Sequence, residues 1–272
     1  MKLKFDTVEQ HILTKDKIKK DLGKYGFFLF ESEGISENEK GQFSIFERFI
    51  LNTNTNIDID KIGNYIHSLL GKKIDYFSFL KENKKFNVFF IVFKYDCSFF
   101  GIWTLEYRNI KFKNSFNNCK DFSKWLAQHV VKREKIKPFR KQHYLKCIDN
   151  CLRDNRVPYP GNFDGILFYS YNLEPKLVLE FSKVNYTTLK RHKENLQGYL
   201  GDRYFKEDIN RWSIFLNLSK KLKVPNRIIW WYTKSEEYMV GYVEHLKSKE
   251  GIRLLTDTID YKSLIEEIQR VI

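Results

Sequence analysis

Two acidic residues lie inside an apolar stretch of the chain. Residues 162 to 186 read NFDGILFYSYNLEPKLVLEFSKVNY, with Asp164 at the entry of one strand-forming run and Glu180 inside the next. If the runs pair across the NLEP turn, the two carboxylates come close together. Close carboxylates repel unless a cation lies between them. Such oxygen ligands bind Mg²⁺ together with water and phosphate, and the metal can activate water against a phosphodiester.

Both acids also have simpler interpretations. Asp164 follows the PYPGN turn and can cap it, while Glu180 can pair with a lysine across a sheet. Side chains alternate along a strand, so Ser182 shares the face of Glu180. Lys183 faces the other way unless a bulge turns it inward.

The elements around these acids predict a mixed α/β (α+β) fold. The NLEP hairpin joins the strands FDGILFYSY and KLVLEFSKV, and two helices follow over 187–201 and 205–223. The strands RIIWWYT and MVGYVEHL and a closing helix over 261–272 complete the chain. A helix opened by Pro138 precedes the hairpin, so the order from 138 is α-β-β-α-α-β-β-α, typical of a mixed β-sheet flanked by helices.

The earlier part of the chain indicates a separate α+β region. The segments FSIFERFIL and IDKIGNYIHSLLG have helical spacing, residues 32–42 form a polar loop, and 86–95 and 100–112 are predicted strands. Residues 114–121 are the best linker candidate. We therefore predict a region 1–122, used for recognition or dimerisation, and a second domain 123–272.

Composition favours a polyanion as partner. Forty-eight Lys and Arg against 34 Asp and Glu give a net charge of +14, and 17% of residues are aromatic. Nucleic acid is the first expectation, although the codon bias of an AT-rich genome explains the same composition. No apolar run reaches the length of a membrane span. The charged N-terminus is no signal peptide, and the four cysteines lack the spacing of a disulfide framework, which predicts a reducing, cytoplasmic location.

The hairpin resembles a known active site. The residues PGNFDG and LVLEFSK are similar to the catalytic hairpin of the PD-(D/E)XK, or restriction-endonuclease-like, nuclease superfamily, over residues 138–245. The resemblance implies that Asp164 and Glu180 are the metal ligands for Mg²⁺ or Mn²⁺. The third motif position, often lysine, falls on Ser182, so Ser182 or Lys183 would position water or stabilise charge.

The resemblance also implies functional residues on the flanking helices. On the preceding helix, Gln142 or His143 occupies the polar position, and His143 as a third metal ligand resembles the manganese-preferring branch. On the following helix, Gln197 is similar to the glutamine of RecB-like members, and Glu194 is a substitute acid.

Basic residues on the same two helices are candidate contacts to phosphate. They are Lys190, Arg191, Lys193, Arg140 and Lys141. His143, Cys147 and Cys151 also share one helix face, but a structural zinc site needs four ligands, so both cysteines are interpreted as packing residues. Adjacent Trp230 and Trp231 occupy opposite faces of a strand, one in the core and the other packing or stacking on a base.

These features predict a metal-dependent endonuclease that hydrolyses DNA, first of all a type II restriction endonuclease. A repair, resolvase or mobile-element nuclease is a close alternative, and RNA remains open as a substrate. A homodimer is possible, since enzymes that cut palindromes are usually dimers. A different class is a nucleic-acid-binding protein with a degenerate, non-catalytic nuclease fold. In a third alternative the charge reflects composition alone and the partner is another protein.

Overall fold

The computed structural model describes residues 3–5, 12–51, 58–130, 147–158, 160–184, 186–232 and 236–272. In chain order its elements are β1 (Leu3–Phe5), α1 (Ile12–Lys24), β2 (Phe27–Glu37), β3 (Phe43–Leu51), α2 (Ile59–Leu70), α3 (Lys73–Lys84), β4 (Asn87–Lys94), β5 (Phe100–Glu106), β6 (Asn109–Phe116), α4 (Cys119–Ala127), α5 (Cys147–Asp154), β7 (Gly161–Tyr169), β8 (Pro175–Lys183), α6 (Tyr186–Leu200), α7 (Asp202–Leu222), β9 (Asn226–Tyr232), β10 (Glu237–Val243), β11 (Ile252–Leu254) and α8 (Tyr261–Val271). The predicted mixed α/β class is confirmed.

The chain divides into two compact units. The first unit takes Met1–Val8 and Ser32–Phe163, and the second takes Glu9–Glu31 and Asp164–Ile272. This division differs from the predicted boundary at 122 and 123. The predicted linker at 114–121 contains the end of β6 and the start of α4, whose N-cap Asn118 accepts a hydrogen bond from Asp121 N–H.

In the first unit, β3, β4, β5 and β6 lie side by side, and β1 pairs with β3. The β3 and β4 strands are parallel, and α2 and α3 form the crossover that parallel strands need. The predicted helix over FSIFERFIL is therefore wrong, since these residues are β3, and residues 32–37 of the predicted polar loop belong to β2. The β3 side chains are buried on both faces, which removes the alternation by which a strand is recognised.

The four cysteines of the first unit are paired, contrary to expectation. Cys97 pairs with Cys147 and Cys119 with Cys151, with Cα–Cα separations of 5.9 and 5.5 Å, which disulfides span. The pairing removes one observation on which the cytoplasmic prediction depended. Cys151 lies within an apolar cluster of this unit and Cys147 packs against it, as predicted, but both are disulfide-bonded, which was not predicted.

In the second unit the strand order is β11, β10, β9, β8, β7 and residues 27–31 of β2. Neighbours β7 and β8, β9 and β10, and β10 and β11 are antiparallel, while β8 and β9 are parallel and are connected through α6 and α7. On one face, α1 and α8 cover an apolar cluster that includes Leu179, Phe181 and Trp231. The predicted order of hairpin, two helices, two strands and closing helix is found, with one unpredicted short strand, β11, before the closing helix.

The helix predicted to open the core at Pro138 is described only at its end. That described part, α5, belongs to the first unit, whereas in the second unit α1 packs against the hairpin strands. Within the described ranges, no helix combines the length and apolar character needed to cross a membrane.

Candidate active site

The β7–β8 hairpin sets the two acids opposite each other. Asn172 Oδ1 accepts the Glu174 N–H at 3.0 Å and closes the turn. Gly165 pairs with Leu179 and Ile166 with Val178. Continuing this antiparallel register by one residue places Asp164 across from Glu180, the neighbourhood that the sequence predicts.

Asp164 is held by two donors. Its Oδ2 accepts the backbone N–H of Phe181 at 2.8 Å, and its Oδ1 accepts a hydrogen bond from Lys15 Nζ of α1. The Lys15 side chain is 12% exposed, and its Nζ also lies 3.9 Å from Glu31 Oε1 and 5.4 Å from the Phe181 ring centroid. A largely buried ammonium thus lies between two carboxylates.

Glu180 is paired with a different base. Its side chain is 5% exposed and forms an ion pair with Arg211 of α7, whose side chain is 48% exposed. Burial lowers the pKa of Arg211, and the charge of Asp164 opposes that change. Arg211 therefore contacts one acid and feels the field of the other. The positive charges of Lys15 and Arg211 therefore offset the repulsion predicted between the two acids.

A cavity of about 860 Å³ is lined by Arg211, the partner of Glu180, but not by Glu180 or Asp164 themselves. Ser182, two residues beyond Glu180 on β8 and paired with Trp230 of β9, lines it, as does Arg211. On the opposite face of β9, Trp231 lies in the apolar core, so the two tryptophans point as the sequence predicts. The side chain of Lys183 is not among those described.

Helix α6 forms another wall of the cavity. Its predicted phosphate contacts Lys190, Arg191 and Lys193 are exposed, and Arg191 lines the cavity. Glu194 also lines the cavity, and its Oε1 forms an ion pair with Lys190 Nζ at 3.7 Å. Gln197 Nε2 donates to the Ile252 carbonyl of β11 at 3.1 Å, so its amide holds α6 on the sheet. The predicted residues Arg140, Lys141, Gln142 and His143 lie outside the described residues.

His192 of α6 was not predicted. Its ring is 2% exposed, lines the cavity, and lies 4.3 Å from the Tyr199 ring and 5.1 Å from the Trp230 ring. Burial lowers its pKa to about 4, so the imidazole is neutral near pH 7. A sequence signal existed, because Leu189, His192 and Leu196 recur at helical spacing in an otherwise charged helix.

The described residues offer few protein ligands for a metal ion at this site. Among them, no group of three or more histidine, cysteine and acidic side chains is placed to hold a metal. A Mg²⁺ ion at Asp164 and Glu180 would take its remaining ligands from water and phosphate, a coordination that this ion accepts. Both carboxylates are ion-paired, Asp164 with Lys15 and Glu180 with Arg211, so a cation would have to displace these partners.

No protein-family model, curated protein or solved structure matches this chain significantly. The resemblance to the PD-(D/E)XK superfamily therefore depends on the hairpin residues and the order of the elements.

Proposed function

We propose that the second unit is a metal-dependent nuclease that hydrolyses DNA phosphodiester bonds, with Asp164 and Glu180 as metal ligands. The observation that carries this proposal is the β7–β8 register, which sets the two acids opposite each other. Glu180 is paired with Arg211, and Arg211 and Ser182 line the neighbouring cavity. The helices and parallel strand after the hairpin are the elements that the restriction-endonuclease-like resemblance implies.

The two bases suit the same chemistry. Arg211 contacts Glu180, is half exposed, and has the planar donor geometry that binds phosphate oxygens in pairs. Lys15 provides an ammonium at Asp164, which offsets the absence of lysine at the Ser182 position. A divalent ion, when bound, would lower the pKa of water and neutralise phosphate charge. Within this chain, Arg211 would then turn from Glu180 to the substrate phosphate.

The exposed bases of α6 extend the phosphate-binding surface. Lys190, Arg191 and Lys193 lie on the helix that borders the cavity, where contacts to the DNA backbone add affinity and salt dependence without reading sequence. Recognition of a specific sequence then falls to the first unit.

A non-catalytic DNA-binding protein is the second candidate function. The observation that favours it is that Lys15 and Arg211 already compensate both acids, while Ser182 stands at the motif's lysine position. Under this alternative the two ion pairs only stabilise the fold.

Cleavage of plasmid and single-stranded DNA, with EDTA, Mg²⁺ or Mn²⁺, separates the two functions. We expect Asp164→Asn and Glu180→Gln to lower the cleavage rate by at least about 100-fold, the scale of losing a group that stabilises transition-state charge. Asp202→Asn and Glu236→Gln are matched controls at exposed positions of the second unit and should cleave normally.

The pattern of products refines the result. Discrete metal-dependent fragments indicate a sequence-specific enzyme of the restriction type, and a smear indicates a nuclease without sequence preference. Absence of cleavage with every substrate and metal, while wild type and variants still shift DNA in EDTA gels, would refute the nuclease and leave the binding protein.

A further inference from the structure

The cavity lined by Arg211 has the size of a ligand site. Its volume, about 860 Å³, falls in the range of small-molecule pockets. Rings of Trp212, Trp230, Tyr199 and His192 line it, in a unit whose other aromatic residues serve mainly the sheet core. Tyr199 is 38% exposed and presents the accessible ring, while Trp212, Trp230 and His192 are buried behind the cavity surface. An exposed aromatic ring is suited to a flat ligand.

A buried histidine adds a polar group within the cavity wall. His192 Nδ1 is buried and has no hydrogen-bond partner among the described residues. Buried polar atoms are nearly always satisfied, and a ligand in the cavity reaches this nitrogen only when the His192 ring turns toward it. A neutral imidazole has one donor and one acceptor nitrogen, and heterocyclic bases present both complementary groups.

Arg211 connects the cavity with the acids. It lines the cavity and also forms the ion pair with Glu180. A ligand that places a flat ring in the cavity and a phosphate at Arg211 would therefore lie with that phosphate beside Glu180. Ser182 adds a hydroxyl at the same wall.

We propose that this cavity binds one unpaired nucleobase of the DNA strand, stacked against its aromatic walls, with the adjoining phosphate at Arg211. The proposal rests on the proposed function for the choice of nucleic acid as ligand. It adds that the substrate is single-stranded at this point or has a base turned out of the duplex, since a paired base cannot enter a cavity.

Binding in EDTA tests the cavity separately from cleavage. The full chain is titrated with a short oligothymidylate and with a fully abasic oligomer of equal length, so that both probes carry the same phosphates. Tryptophan emission is followed because Trp212 and Trp230 line the cavity. We expect the base-containing strand to bind at least about fivefold tighter, the lower end of what stacking on an aromatic ring gives. It should also quench the emission.

Two tyrosines of the second unit provide matched variants. Tyr199→Ala removes a cavity wall and should reduce the preference for bases, whereas Tyr171→Ala removes a well exposed ring in the β7–β8 turn and should retain it. If urea unfolding shows that Tyr199→Ala is misfolded, His192→Phe is used instead, because it keeps a ring and removes both nitrogens.

Equal affinity for the two oligomers, or no binding of either, would overturn the proposal. So would a preference for bases that survives both Tyr199→Ala and His192→Phe without quenching. Plasmid cleavage with Mg²⁺ is measured on the same preparations. If the protein does not cleave the plasmid but still prefers the base-containing strand, the proposed nuclease function is refuted and base binding in the cavity is retained. If it cleaves the plasmid but shows no preference for bases, the nuclease function is retained and base binding is refuted.

Discussion

Removing Arg211 should destabilise the protein in a way that a divalent ion repairs. Arg211→Met keeps much of the side-chain volume and removes the charge opposite Glu180. Loss of one partner of a fully buried ion pair costs about 3 to 5 kcal/mol, whereas exposed pairs contribute about 1 kcal/mol or less. The Glu180 side chain is 5% exposed and that of Arg211 is 48% exposed. The pair is intermediate, and we expect a loss of about 2 kcal/mol, or roughly 30-fold in the folding constant.

The size of the repair follows from mass action. An ion bound with a dissociation constant of about 1 mM stabilises the folded state by about 1.4 kcal/mol when present at about 10 mM. Mg²⁺ should therefore recover most of the loss in Arg211→Met. Wild type should gain less, because Arg211 competes with the ion for Glu180.

Urea unfolding followed by tryptophan fluorescence measures both effects, in EDTA and in Mg²⁺ at matched ionic strength. Arg253→Met is the control, because Arg253 is similarly exposed at 51% but its partner Glu244 is 45% exposed. We expect this control to lose about 0.5 kcal/mol or less, with no dependence on Mg²⁺.

Two results would refute the reasoning. If Arg211→Met and Arg253→Met lose the same stability in EDTA, burial of Glu180 does not make its partner necessary. If Arg211→Met is destabilised but Mg²⁺ restores nothing, the Glu180 carboxylate does not bind the ion in the folded protein.

Three further predictions concern the second unit. The pKa of His192 falls from 6.5 to about 4 on folding, so the unfolded chain binds the extra proton in this window and stability drops as pH falls. His192→Phe should remove about 2 to 3 kcal/mol of the stability difference between about pH 7 and pH 4.5 in urea unfolding, and an unchanged pH dependence would contradict the burial argument. Asn226→Ala removes hydrogen bonds to the Val243 N–H (2.8 Å) and carbonyl (3.0 Å) and should cost about 2 to 3 kcal/mol in thermal melts, whereas a neutral result would mean that water replaces the amide. Gly241→Ala would place its Cβ 2.6 Å from the Trp230 ring, and we expect it to lower the free energy of unfolding by about 1 to 3 kcal/mol and to shift the tryptophan emission. Unchanged stability and emission would show that the sheet adjusts to the added methyl group.

Local patterns in the sequence determined much of the second unit. The hydrogen bond from the Glu174 N–H to the Asn172 side chain, with one apolar strand on each side of the turn, specifies the β7–β8 hairpin. The hairpin register then places Asp164 across from Glu180. Helices α6 to α8 follow from apolar spacing. These features depend on residues close together in the chain, where propensity and turn geometry act directly.

Strand β3 shows where the local pattern misleads. Its residues FSIFERFIL carry apolar side chains at helical spacing, yet they form a strand buried on both faces. A strand of that kind has no alternation to detect, and its state is decided by the neighbouring parallel strand β4, which is more than thirty residues away. The cysteine pairs likewise join residues that only the packing of the first unit brings together.

The sequence alone thus determined the position of the two acids, the hairpin that carries them and the basic character of the chain. Only the tertiary structure decided their partners: Lys15 is 149 residues from Asp164, and Arg211 comes from α7, the second helix of the crossover between β8 and β9. Hairpin turns and helical faces are set by neighbours in the chain. The base that faces a buried carboxylate is set by how distant elements pack, and each of the many lysines and arginines is an equal candidate until that packing exists.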